Sequence, residues 1–429
     1  MRVVIIGNGV AGFSAALALR RRDPKAEIVM VSGESDYPFS RPALMYIFMG
    51  HMRTEDTRPY EDWVWQKNRI ERVRAWVTGV DTKARRVELD HGSPLAYDKL
   101  VLALGSTHNK FGWPGQDLEG VQGFVTLGDL ETLERSMAGL QRAVIVGGGL
   151  IGLELAEMLH SRHVPVTMLV RESCYWNNVL PDEEAKMVGE VIRAEGIDLR
   201  LESELKEIVD GGSGRAVAVV TGDGERIDCG VVGLTAGVRP NLSAVEGSDI
   251  PTGRGVEVDF SFRSAAEDVY AIGDCAELVT PEGERNVIEQ LWYTGKMHAE
   301  VLADVMTGTD RTYDRGIWYN SAKFVDLEFH TYGRVTAGGG GPPVREGEQS
   351  VFWAHNRGRH SLRIAHVEGR VVGFNSLGLR LRQEVCQRWI AERLDVADVL
   401  GRLNEANFDP ELYRKHEPEI RGVMKEQLP

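Results

Sequence analysis

The chain has 429 residues, 42% hydrophobic and 27% charged, an ordinary globular composition with length for two or three domains. A net charge of −14 and a pI near 5.4 exclude a broad nucleic-acid face, because neutralising phosphates takes clustered cations. No apolar run reaches the roughly 18 residues of a membrane span, and the sequence opens on a strand pattern instead of a basic region with an apolar signal core, so a cytoplasmic protein is expected.

The opening stretch Val3-Val4-Ile5-Ile6 is a buried strand by its run of β-branched residues. Gly7, Gly9 and Gly12 follow as G-x-G-x-x-G, with Val10 and Ala11 inside the motif and an apolar helical run through Leu19. Gly7 permits the tight turn, Gly9 lets a pyrophosphate approach the backbone, and Gly12 lets the helix pack on the strand. The helix N-terminus supplies free N–H groups for the phosphates. A second strand, Ile28 to Val31, ends before Glu34, 22 residues beyond Gly12, the distance expected of a carboxylate that binds ribose hydroxyls. Tyr37 to Pro42 opposes helix until Ala43, and Ala43 to Met49 is expected to be helical. Arg41 is a cation placed to reach a phosphate or ribose. Residues 60–76 carry Trp63, Trp65 and Trp76 on a helix and then a strand, and Leu100 to Leu104 is a buried strand stopped by Gly105. Residues 106–123 read as a linker.

The opening pattern then returns. Ala143 to Val146 is a strand, Gly147, Gly149 and Gly152 repeat the fingerprint around Leu150 and Ile151, and the following helix carries Glu154 and Glu157. Two units with matching strand and helix context make an internal repeat, for which two dinucleotides are the economical explanation. Strands and turns over 195–240 end at Thr235-Ala236-Gly237 and Arg239-Pro240-Asn241. Val269 to Ile272 is a short strand running into Gly273-Asp274, whose carboxylate can accept from a sugar hydroxyl or cap a turn. A helix starts at Thr294 or earlier.

From residue 313 the character changes. Trp318 to Phe329 is aromatic and strand-like, Gly338 to Pro343 is a flexible turn or loop, and strands follow at Ser361–His366 and Val371–Phe374. Leu381–Glu392 is helical, and Asp395 and Asp409-Pro410 read as two further helix starts. Arg357, Arg359, His360, Arg363, Arg380, Arg382 and Arg388 make this region locally basic, which favours docking an acidic partner. The cysteines, Cys174, Cys229, Cys275 and Cys386, are too scattered for a cysteine metal site or a local redox disulfide, and no metal is expected.

Together, Gly7/Gly9/Gly12 with Glu34, Ala103-Leu104-Gly105, Gly147/Gly149/Gly152, Thr235-Ala236-Gly237 and Ala271-Ile272-Gly273-Asp274 resemble the FAD-dependent pyridine nucleotide-disulfide oxidoreductases. Ser40-Arg41-Pro42-Ala43-Leu44 is most similar to the ferredoxin/rubredoxin-reductase and apoptosis-inducing-factor branch. The resemblance implies an α/β fold of two Rossmann-like domains, for FAD and NAD(P)H, and an α+β C-terminal interface domain. Expected boundaries are 1–112 and 244–312 for FAD, 113–243 for NAD(P)H and 313–429 for the interface domain. Relatives with a redox cysteine after the first acid place it where this chain has Pro42. Many ferredoxin reductases carry a lysine four residues later, where this chain has Tyr46.

By the same resemblance, Val77, Ala103, Gly105, Ala236, Gly237, Gly273, Thr294 and Gly295 line the cofactors. Glu154 orients the nicotinamide, and Lys323 is a cation supplied by the third domain. The protein then contributes position, electrostatics and water exclusion to a hydride transfer that needs no protein nucleophile. The acceptor expected is a small electron-carrier protein of the rubredoxin or ferredoxin type, or a quinone; the alternatives are an oxidase that uses dioxygen or peroxide and a redox-responsive NAD(P)H-binding protein. NADPH is expected over NADH, because Val170 stands where NADH-binding relatives carry a carboxylate and Arg171 follows it. A homodimer through the third domain is implied.

Overall fold

The computed structural model describes residues 1–282, 284–339, 347–408 and 414–428. It divides into two compact units, one of residues 1–111, 123–138 and 237–315, the other of 112–122, 139–236 and 316–429. Residues 123–138, expected with the second nucleotide domain, group with the first unit, and the second nucleotide domain and the C-terminal domain form one unit.

In the first unit a five-stranded sheet runs Val269–Ala271, Lys99–Leu102, Arg2–Ile6, Glu27–Ser32, Ile70–Arg74. All pairings are parallel. The chain's first strand lies in the middle, so the order reverses at its C-terminal end, where open α/β sheets bind ligands. Val3, Val4 and Ile5 are fully buried, each worth about 1.5–3 kcal/mol relative to exposure, which is why these strands are continuously apolar. The helices Val10–Arg22 and Trp292–Met306 pack along one another on this sheet. The linker expected over 106–123 is ordered: Ser106–His108 pairs antiparallel with Val238–Pro240, so the two chain crossings lie side by side.

In the second unit a parallel sheet of the same build runs Asp198–Arg200, Val166–Leu169, Ala143–Val146, Val231–Leu234, Val121–Gln122. A five-stranded antiparallel sheet, Tyr319–Phe324, Leu327–Gly333, Arg370–Leu377, Ser361–Val367, Glu348–Ala354, forms the C-terminal domain. Its core is Trp353, Phe374 and Trp389 against the short helices Gln383–Ala391 and Val396–Gly401. Asp395 caps the latter through Ala397 N–H at 2.9 Å. Gly338 and Gly339 are not a free turn, because their N–H groups donate to Leu180 and Asn177 carbonyls at 3.0 and 2.9 Å. The rest of Gly338–Pro343 and the helix start at Asp409-Pro410 lie outside the described residues.

The expected basic face is largely neutralised. Arg363 is buried and bonds Glu184 at 2.7 Å and Glu183 at 2.9 Å. Arg359 pairs with Asp326, Arg380 with Glu328 and Arg388 with Glu405.

Candidate functional site

The first fingerprint is built by steric demand. Gly7 has φ +104°, and a Cβ there would sit 2.2 Å from Ala103 O; a Cβ on Gly12 would sit 2.0 Å from Gly7 O. Those two glycines hold strand, turn and helix against the Ala103–Gly105 stop. At Gly9 a Cβ would meet nothing within 4 Å. The helix that Gly9 caps has no side-chain cap and no acid in its first turn. Open space before bare N–H groups at a helix start suits a pyrophosphate. Gly273 and Gly295 close in from the other side, with Cβ positions 2.8 Å from Ala11 Cβ and 3.3 Å from Val10 Cγ1. Thr294 is buried in the first turn of its helix, its hydroxyl on Leu291 O.

Around this cradle the polar groups are already engaged. Glu34 accepts from Arg41 Nη1 at 3.0 Å and from Leu127 N–H at 2.9 Å, and Arg41 also donates to Val125 O. The acid and cation thus form one pair, and residues 123–138 join the unit through it. Pro42 follows in the short helix Arg41–Ala43. Val77 opens its strand beside the Glu34 turn, since the Trp76 ring lies 2.1 Å from a Cβ on Gly33.

Asp274 Oδ2 accepts from Ser106 Oγ at 2.8 Å, which accepts from Gln290 Nε2 at 2.9 Å. Burial raises its carboxyl above the ordinary aspartate range. Behind it, Gly273 N–H donates to His298 Nδ1 at 3.1 Å, so the imidazole proton sits on Nε2, 3.4 Å from Glu289 Oε2. Glu289 also accepts from Tyr313 OH at 2.6 Å and Arg315 Nη1 at 3.1 Å. Burial opposes its ionisation, but His298, Tyr313 and Arg315 together outweigh burial and hold the carboxyl below its ordinary value. Sequence reasoning missed this chain of residues. Ser106 directly follows Gly105, but nothing local marks Glu289 or His298.

The second fingerprint repeats the logic. Gly147 has φ +127° and a Cβ there would lie 2.6 Å from Thr235 O; at Gly152 it would lie 2.7 Å from Thr235 Oγ1; at Gly149 it meets nothing. Thr235, quoted only as part of Thr235-Ala236-Gly237, therefore braces both outer glycines, its hydroxyl on Val146 O at 3.0 Å. Leu150, Ile151 and Glu154 lie in the helix Leu150–Ser161. Desolvation, then the charge of Glu157, pushes the partly buried Glu154 up to about 7. Tyr175, fully buried, donates to Gly149 O at 2.9 Å and packs edge-on against Phe324. Lys323, the residue before Phe324, is exposed on a strand that lies against the Glu154 helix.

Val170 is fully buried and packs under Gly148, where a Cβ would be 2.8 Å from Val170 Cγ1. Gly7 N–H bonds Val31 O and Gly147 N–H bonds Leu169 O. Counting three residues on from these shared bonds gives Glu34 in one repeat and Glu172 in the other. Arg171, its side chain 72% exposed, donates to Glu172 at 3.0 Å. The cysteines are all free; burial pushes Cys229 and Cys275 up to about 12 and raises Cys386 too.

Comparison with known proteins agrees with this geometry. The chain is 31% identical over 336 residues to rhodocoxin reductase of Rhodococcus erythropolis, covering 76% of each. It is 30% identical over 378 residues to the ferredoxin–NAD(+) reductase component of the anthranilate 1,2-dioxygenase system of Burkholderia cepacia, covering 86% of this chain and 92% of that one. A ferredoxin reductase of Rhodopseudomonas palustris shares the fold with a TM-score of 0.79 at 23% identity, over 99% of both chains. An NAD-dependent persulfide reductase of A. fulgidus does so at 0.83 and 24%, over 100% of this chain and 83% of that one. The family model described as pyridine nucleotide-disulphide oxidoreductase matches residues 1–299. The chain belongs to that family, an FAD- and pyridine-nucleotide-dependent class of oxidoreductases.

Proposed function

We propose that the protein takes hydride from NAD(P)H and passes the electrons to a small electron-carrier protein of the rubredoxin or ferredoxin type. The observation that carries this reading is the pair of open, uncapped glycine cradles at Gly9 and Gly149, each at the switch point of its own parallel sheet. The names of the relatives, a rhodocoxin reductase and a ferredoxin–NAD(+) reductase component, support the choice of acceptor. When bound, FAD supplies the chemistry that accepts a hydride and releases its electrons to the acceptor.

The chain's own residues do the rest. Gly7 to Gly12 present N–H groups to the FAD pyrophosphate, Asp274 receives a sugar hydroxyl, and the Trp292–Met306 helix aims its first N–H groups at the flavin. Glu154 carries a proton up to about pH 7 and so can donate a hydrogen bond to the nicotinamide amide from a partly desolvated site. At Arg171–Glu172 the cation favours a 2′-phosphate and the carboxylate favours a free ribose. NADPH use rests on Arg171, with discrimination limited by its bond to Glu172. Pro42 and the buried thiols of Cys229, Cys275 and Cys386 support turnover without a cysteine. We place the protein in the cytoplasm as a homodimer through its C-terminal sheet, which sedimentation at micromolar concentration reads directly.

Stopped-flow reoxidation of the NADPH-reduced protein tests the acceptor. Rapid reoxidation by rubredoxin or a small ferredoxin, and slow reoxidation by air, is expected. The reverse order makes it an oxidase, and rapid turnover with a quinone alone removes the carrier protein.

A further inference from the structure

The C-terminal domain holds a cluster of histidines that takes no part in dinucleotide binding. His355 ends the Glu348–Ala354 strand, His360 precedes the Ser361–Val367 strand, and His416 is the N-cap of the helix Glu417–Lys425. Ring centroids are 5.2 Å apart for His355 and His416, 5.1 Å for His360 and His416, and 5.9 Å for His355 and His360. His355 and His416 are buried against Trp353, and Glu419 lies in the first turn beside them. One donor atom from each of His355, His416 and Glu419 lies within 4.8 Å of the others. His360 Nδ1 is buried with no hydrogen-bond partner. Packed imidazoles are ordinary core; imidazoles converging with a carboxylate and an orphaned nitrogen are a ligand set.

We propose that His355, His416 and Glu419, with His360 beside them, bind one divalent transition-metal ion of the Zn2+ class. Two imidazoles and a carboxylate suit zinc and its neighbours rather than magnesium or calcium. Bonds of about 2.0–2.2 Å bring tetrahedral donors to roughly 3.4 Å from one another, so the side chains close inward, with the exposed Glu419 free to move furthest. His355 Nδ1 now accepts from Arg357 N–H at 3.2 Å. Metal binding ends that bond, and the exposed hairpin turn lets water take the freed N–H. The charges that face His416 are Arg414 on one side of the balance and Glu419 and Glu417 on the other; Arg359 is paired with Asp326. A cleft lined by His360, Arg380, Leu381, Arg414, His416 and Ile420 adjoins the cluster. The bound ion would tie the hairpin tip to the start of the C-terminal helix, adding to the hydrogen bonds that Gln427, just past the helix end, makes with the Phe352 backbone.

The test uses the FAD-loaded full chain dialysed against EDTA. Calorimetric titration with Zn2+ should give one site per chain, and Co2+ should give ligand-field absorption to the red of the flavin. His355→Gln should abolish the site. Glu419→Gln, a surface change that leaves the fold intact, should weaken it by at least the roughly 10- to 100-fold that loss of an outer-sphere partner costs a metal site. Far-UV circular dichroism and an unchanged denaturant unfolding curve confirm that each variant is folded. Absence of stoichiometric binding, or binding by both variants as tight as in the parent, overturns the proposal.

Discussion

Gly9→Ala and Gly12→Ala should act with opposite signs on the protein without cofactor. Gly9 sits at φ −67°, ψ −177°, a conformation alanine adopts freely, and its new methyl would touch nothing within 4 Å. Stability should therefore stay level or rise by about 0.4–1 kcal/mol, because the unfolded chain loses freedom. At Gly12 the methyl would lie 2.0 Å from Gly7 O, backbone that cannot swing aside. Overpacking there costs about 1–3 kcal/mol or more. With FAD the order changes: the Gly9 methyl occupies the space before the helix N-terminus. Losing one N–H bond to a phosphate, worth about 1.5–3 kcal/mol, weakens binding roughly 10- to 150-fold. Denaturant unfolding of the apo forms, with FAD titration followed by flavin fluorescence, reads both quantities. A Gly9→Ala protein that binds FAD as tightly as the parent would refute the assignment of the cradle. Gly149→Ala should do the same for the pyridine nucleotide, with FAD content unchanged.

Replacing Cys174, Cys229, Cys275 and Cys386 by serine, singly, should leave flavin reoxidation within a few-fold in every stable variant; a thousandfold loss in any would show a hidden thiol step. Arg171→Ala should lower kcat/KM with NADPH by about tenfold, the low end for a charged bond because the guanidinium is exposed and shared with Glu172. NADH use should barely change, and an unaltered NADPH/NADH ratio rules the residue out. Glu289→Gln should destabilise the first unit by about 2 kcal/mol, as charge-assisted bonds from Tyr313 and Arg315 become neutral ones. Because the folded carboxyl lies below its ordinary value of 4.5, the parent's advantage is full above that pH and fades as pH falls through the folded pKa. An advantage that persists in stronger acid contradicts the assignment. Glu154 has the opposite sign: raised from 4.5 to about 7, it lets stability drain away as pH rises between those values. Glu154→Gln should thus be about 2–3 kcal/mol more stable than the parent at pH 8 without nucleotide, and no more stable at pH 4.5.

Both fingerprints were legible because their information is local. A fully buried parallel strand must be apolar throughout, and the glycines recur at a fixed short spacing between strand and helix. The Ala103–Gly105 and Thr235–Gly237 stops could be read only through resemblance, and the structure supplies their reason: Ala103 O and Thr235 O are the backbone atoms that forbid a side chain at Gly7 and Gly147. What escaped the sequence depends on pairing across long separations. The apparent basic face dissolves once Glu184, Asp326 and Glu328 are seen beside Arg363, Arg359 and Arg380. The grouping of residues 123–138 with the first unit hangs on Leu127 N–H and Val125 O meeting Glu34 and Arg41, about 90 residues away in sequence.

The two repeats differ in how they treat the acid at the equivalent register. In the first, Glu34 is gripped by Arg41 and by a backbone N–H, and its carboxylate is mostly shielded, so it is held in place before any ligand arrives. In the second, among the described residues, Glu172 pairs with the exposed Arg171, and a bound nucleotide can rearrange both. Preorganisation lowers the ordering that binding must impose and favours a long-lived complex, whereas an adaptable pair favours exchange. This is the asymmetry a reductase of this class requires. On the proposed function, FAD, which stays for every turnover, would take the fixed site, and the pyridine nucleotide, which leaves each time, the loose one.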